Sequence, residues 1–95
     1  MNKNIVCKDG FTMSVQAAGS LYCSPRVDNA ERYITVEVGY PNRAEPLLME
    51  CAEDEKQPTS TVYAYVPSGV ISLVCAKHGG IVRGELPAGI AYLGA

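Results

Sequence analysis

Cys75 and His78 are the nearest approach in this sequence to a nucleophile beside a base. They lie three residues apart, which puts both on one face of a helix. A metal reading of the pair needs a second half-site, and none is suitably spaced. The four cysteines, Cys7, Cys23, Cys51 and Cys75, are separated by 16, 28 and 24 residues, so there is no C-x2-C knuckle. The expectation is a buried thiol next to a helix-end histidine, with no metal and no cofactor. Cys23, between Tyr22 and Ser24-Pro25-Arg26, is the better candidate for an exposed thiol. No local motif pairs it with His78, the single histidine, so the chain reads as a non-enzyme, with a thiol enzyme as the alternative.

Other chemistries find less support. Gly79-Gly80 follows a helix rather than preceding one, which is the wrong end for phosphate binding. Glu45, Glu50, Glu53, Asp54 and Glu55 make residues 44–55 carry a net charge of −5. Residues 1–43 net +1 and residues 56–95 net +2, so the acidity is local. General acid–base work needs a fixed, tuned pair of carboxylates, and this stretch reads as a loop. It reads either as a solvated loop or as a patch for a basic partner. The overall charge of −2 lacks the basic excess of a nucleic-acid binder, so no direct nucleic-acid contact is expected.

The elements that position these residues follow from periodicity. Asp9-Gly10 between apolar runs predicts a hairpin with a type I′ turn. Phe11, Met13, Val15 and Ala17 then alternate with Thr12, Ser14 and Gln16, the pattern of a strand with one buried face. Residues 18–32 read as a long loop. Tyr33 to Tyr40 reads as a strand with Ile34, Val36 and Val38 inward. Residues 41–60, with three prolines, read as a second long loop, and Thr61 to Val66 as a strand. Pro67-Ser68-Gly69 opens the one helix, with Val70, Ile71, Leu73, Val74 and Cys75 as its apolar stripe and Gly79-Gly80 as its stop. Ile81 to Leu86 is a candidate last strand, and the tail after about residue 86 reads as irregular.

The predicted architecture is α+β: a single domain over 1–95, about four mostly antiparallel strands, and one helix packed on one face. A helix of ~10 residues spans ~15 Å and shields only one side of a small sheet. Strict alternation assigns Thr12, Ser14, Gln16, Tyr33, Thr35, Glu37, Thr61, Tyr63 and Tyr65 to the other side. Tyrosines and small hydroxyls on a rigid sheet suit recognition of a protein partner or self-association into a homodimer. Tyr33, Tyr63 and Tyr65 with the five acids are the expected partner-binding residues. Tyr22, Arg26 and Arg32 form an alternative ligand site, suited to an oligomeric sponge for a nucleotide signal. No apolar run approaches the ~20 residues of a membrane span, and Met1 to Lys8 lacks the apolar stretch of a signal peptide. Free thiols in a cytosolic setting are therefore expected.

Several segments together are similar to one group of proteins: Val6-Cys7-Lys8-Asp9-Gly10, Met13-Ser14-Val15-Gln16-Ala17, Tyr22-Cys23-Ser24-Pro25-Arg26, Val36 to Pro41, Thr61 to Pro67, and Lys77-His78-Gly79-Gly80. The set resembles small accessory proteins of tailed phages and prophages, over about residues 5–82. The resemblance implies a protein made in the cytoplasm of an infected bacterium. It also implies a binder that blocks a host protein or protein–nucleic acid complex, as anti-CRISPR proteins do, with a virion component as a further alternative. No catalytic motif is carried over with it.

Overall fold

Period-2 alternation builds the centre of the sheet, as the sequence predicts. The computed structural model describes residues 1–95. Strands β1 (Ile5–Cys7), β2 (Thr12–Gln16), β3 (Thr35–Gly39), β4 (Val62–Pro67) and β5 (Ile81–Arg83) form one antiparallel sheet in the order β4-β3-β2-β1-β5. Helix α1 (Ser68–Lys77) follows β4, and a 3-10 helix (Pro46–Cys51) lies between β3 and β4. The class is α+β as expected, with five strands where about four are predicted; the fifth is the candidate strand after Gly79-Gly80.

The core forms where the inward faces meet. Ile5, Met13, Val15, Val36, Val38, Tyr63, Val66 and Ile81 join Ile71, Val74 and Cys75 of α1 and Leu48 of the 3-10 helix in one buried cluster. Burying an aliphatic side chain of this size stabilises by roughly 1.5–3 kcal/mol, so this cluster is the main favourable contribution to the fold. Each outer strand also carries backbone from elsewhere in the chain. Ala52 bridges Tyr63 on β4, and Gly94 bridges Ile81 on β5.

Four expectations change. The β1–β2 turn is not type I′. Only Gly10 has positive φ, at 92°, and the Gly10 N–H donates to Cys7 O at 3.0 Å while the Cys7 N–H donates to Phe11 O at 2.9 Å. This is the three-residue loop that ends in a left-handed glycine. Ile34 is 64% exposed and precedes β3, which starts at Thr35, two residues later than expected. Leu73 of the predicted helical stripe is 59% exposed, so the stripe is the narrower Ile71, Val74 and Cys75.

The fourth change concerns β4, where the pairing runs Val36↔Val66 and then Val38↔Tyr63. Two residues, Ala64 and Tyr65, therefore stand opposite Glu37, and Tyr65 adopts the left-handed region at φ 51°. A bulge of this kind shifts the phase of a strand by one residue. Tyr63 and Val66 thus both face the core, which the alternation pattern forbids.

Candidate functional site

The helix stop creates the most highly organised polar cluster. The Gly80 N–H donates to Cys75 O and the Gly79 N–H to Ala76 O, with both glycines at positive φ. That is a Schellman closure, and only glycine adopts it cheaply here. It returns the chain onto the β1–β2 turn, where the Lys8 N–H donates to Gly80 O and the Asp9 N–H to His78 O. His78 is thereby set beside Asp9, which lies 69 residues earlier in the chain.

Both nitrogens of His78 meet carboxylates. Nδ1 is 2.6 Å from Asp9 Oδ2 and Nε2 is 2.7 Å from Glu45 Oε1. An ionised carboxylate only accepts, so a ring nitrogen bonds to one by donating its N–H. Phe11 stacks on the ring with centroids 4.1 Å apart and planes within 10°. Arg43 lies 5.9 Å from the Phe11 centroid and pairs with Asp9 at 2.9 Å. Glu45 also accepts from the Leu47 N–H at 2.8 Å and from Lys77 Nζ at 3.0 Å, which starts the 3-10 helix and ties it to the end of α1.

The electrostatics fit that geometry. Burial raises the cost of charge on Glu45, its largest single influence. The Leu47 N–H, His78 and Lys77 together outweigh it and hold the carboxyl below its ordinary value. Asp9 is also held low, first by the Phe11 N–H, then, against some desolvation, by His78 and Arg43. Both ring nitrogens of His78 are engaged by carboxylates of this chain. The cluster joins the hairpin turn, the acidic segment and the helix end.

The cysteines stand apart from this histidine. All four are free thiols, and Cys7, Cys23 and Cys75 are buried. Burial, with Cys7 alongside, pushes the Cys75 thiol up to about 12. Cys75 faces the core while His78 faces the carboxylates, so the C-x2-H spacing brings together no reactive pair. Cys23, expected to be exposed, is only 1% exposed and donates its thiol to Ala18 O at 3.2 Å.

The predicted partner-binding residues divide. Glu50, Glu53, Asp54 and Glu55 are exposed, as expected. Glu45 is 1% exposed, because His78, Lys77 and the Leu47 N–H draw it inward. Tyr63 is fully buried through the β4 bulge, and its hydroxyl donates to Pro58 O at 2.6 Å. Tyr33 is 4% exposed; its hydroxyl donates to Val27 O and accepts from the Ala30 N–H, which ties down the first long loop. Thr61 and Gln16 are also buried, the latter through a two-way bond with the Asn2 backbone. The face away from α1 keeps Thr12, Ser14 and Glu37 half-buried, and Tyr65 is 44% exposed.

Tyr65 is joined by two residues from the alternative site. The Tyr65 N–H donates to Tyr22 O at 3.1 Å, and the Tyr22 N–H donates to Glu37 Oε1 at 3.2 Å. The two rings have centroids 5.9 Å apart at 46°, and the Arg26 guanidinium lies 5.2 Å from the Tyr22 centroid. Arg32 serves elsewhere, with its side chain against Gly89. The acidic segment meets the same strand, since the Glu53 N–H donates to Val62 O at 3.0 Å. Sequence reasoning missed the Asp9–His78–Glu45 cluster, buried at His78 and Glu45 and open at Asp9; its only linear signals are the Asp-Gly turn and a basic helix end.

No helix is long and apolar enough to cross a membrane. Comparison with protein-family models, with curated proteins and with solved structures finds no match to this chain.

Proposed function

We propose that this chain is a non-enzymatic binding protein that docks on a basic surface of a host protein complex and inhibits or modulates it. The observation that carries the reading is the shared attachment to β4. Glu53 bonds to Val62 and Tyr22 bonds to Tyr65, three residues along one strand. That spacing is about 10 Å, so exposed acids and exposed tyrosines form neighbouring parts of one surface. Aromatic anchors beside a charged rim are the usual composition of a protein-binding patch. The sheet behind it and the Glu45–His78 tie hold the segment in place before binding, which lowers the ordering cost of association.

The resemblance to phage accessory proteins extends this reading to an infected bacterial cytoplasm. There, occlusion of a nucleic-acid-binding surface, as by an anti-CRISPR protein, is its most specific form. The test is affinity purification of the tagged chain from its host, alongside a Glu53→Lys, Asp54→Lys, Glu55→Lys variant. A partner complex retained by the native chain and lost by an equally stable variant supports the reading. Equal retention by both overturns it.

A further inference from the structure

Tyr65 is an expensive residue for its position. A non-glycine side chain in the left-handed region is disfavoured, and glycine or asparagine is its usual occupant. The ring is only partly buried in return, with 44% of the residue exposed. What the bulge achieves is to set the Tyr65 ring against Tyr22, next to a Glu37 carboxylate held by the Tyr22 N–H. A cation already lies on one of these rings: the chain's own Arg26 sits over Tyr22. Two electron-rich faces near a carboxylate match a guanidinium, which is planar, weakly hydrated and stacks on aromatic rings better than an ammonium does.

We propose that the Tyr22–Tyr65–Glu37 corner is an arginine-recognition site, covered at its Tyr22 ring in the free chain by Arg26 and filled by an arginine of the partner on docking. The inference deepens the docking reading given above and rests on it. The acidic segment draws a basic surface in, and the corner selects arginine from it. Arg26 acts as an internal competitor for the Tyr22 ring until a partner displaces it.

The experiment measures binding of hexa-arginine and hexa-lysine peptides by calorimetry. The proteins are the native chain, Tyr65→Asn, Arg26→Ala, and the Glu53→Lys, Asp54→Lys, Glu55→Lys variant. Asparagine tolerates the left-handed backbone, so Tyr65→Asn removes the ring and keeps the bulge. The native chain is expected to prefer the arginine peptide by about tenfold, a difference of about 1.4 kcal/mol. Tyr65→Asn is expected to erase that preference, and Arg26→Ala to strengthen hexa-arginine binding several-fold. Equal affinity for the two peptides, a preference that survives Tyr65→Asn, or weaker binding by Arg26→Ala overturns the inference. The triple variant separates the two readings. If it weakens both peptides while no arginine preference exists, the corner fails and the acidic docking surface stands. If it weakens neither while the arginine preference persists, the acidic docking surface fails and the corner stands.

Discussion

Nε2 of His78 meets Oε1 of Glu45 at 2.7 Å, although 33 residues separate them in the chain. The pair is buried, and it closes a path from the β1–β2 turn through the helix end to the 3-10 helix. Replacement of Glu45 by alanine leaves the His78 Nε2–H, the Leu47 N–H and Lys77 without their acceptor. Leaving buried hydrogen-bond donors without their acceptor costs about 1–3 kcal/mol, a large share of the stability of a domain this size. Urea unfolding is expected to show that loss for Glu45→Ala and a smaller one for Glu45→Gln, which keeps one acceptor. A loss within experimental error for Glu45→Ala would show that the pair contributes nothing net.

Acid is expected to dissolve the same cluster. Asp9 and Glu45 are held below their ordinary values of 3.8 and 4.5 in the folded chain. A carboxyl depressed on folding contributes stability that is complete above its ordinary value and is lost as the pH falls through the folded value. The midpoint of thermal unfolding should therefore be flat on this account from neutral pH down to about 5 and fall below about 4. The Asp9→Asn, Glu45→Gln double variant should start lower and fall less steeply. An identical slope for both proteins would assign acid sensitivity to other carboxyls.

Two glycines make a matched pair of opposite sign. Gly69, in the first turn of α1, has no heavy atom within 4 Å of a built Cβ, and its φ is not positive. Gly69→Ala is expected to stabilise by about 0.5–1 kcal/mol, mainly by restricting the unfolded chain. Gly84 lies at φ 121°, and a Cβ there would sit 2.4 Å from Asn4 O. Gly84→Ala is expected to cost more than about 2 kcal/mol, because a backbone atom cannot yield as a side-chain tip does. Thermal unfolding of the two variants should move in opposite directions.

Thiol labelling should follow burial. Cys51 is half-buried, whereas Cys7, Cys23 and Cys75 are buried. Desolvation raises the Cys7, Cys51 and Cys75 thiols, so little thiolate exists on them at neutral pH. Mass spectrometry after iodoacetamide treatment is expected to show Cys51 modified first and slowly, and the other three only in denaturant. Early modification of Cys7 or Cys75 would mean that the core opens on the labelling timescale.

The sequence made the strand centres legible and hid the long-range ties. Met13, Val15, Val36 and Val38 obey simple alternation because β2 and β3 are regular and paired on both sides. Alternation fails at β4 because the bulge at Ala64–Tyr65 depends on pairing with Glu37, which no local pattern encodes. Glu45 reads as a solvent residue in a proline-rich loop, and only the folded chain brings His78 and Lys77 to it. Tyr33 reads as an outward strand residue, yet it precedes β3 and secures the loop through Val27 and Ala30. The helix was readable at both ends because Pro67 and Gly79-Gly80 act through the backbone alone.

The backbone laid along the two outermost strands bears on how the molecule behaves in company. Ala52 and Glu53 occupy part of one margin of the sheet, and Leu93 to Ala95 occupy part of the other. A neighbouring molecule therefore finds the ladder already taken at Val62 and Tyr63 on one side and at Ile81 on the other, which hinders fibre growth through strand addition at both ends.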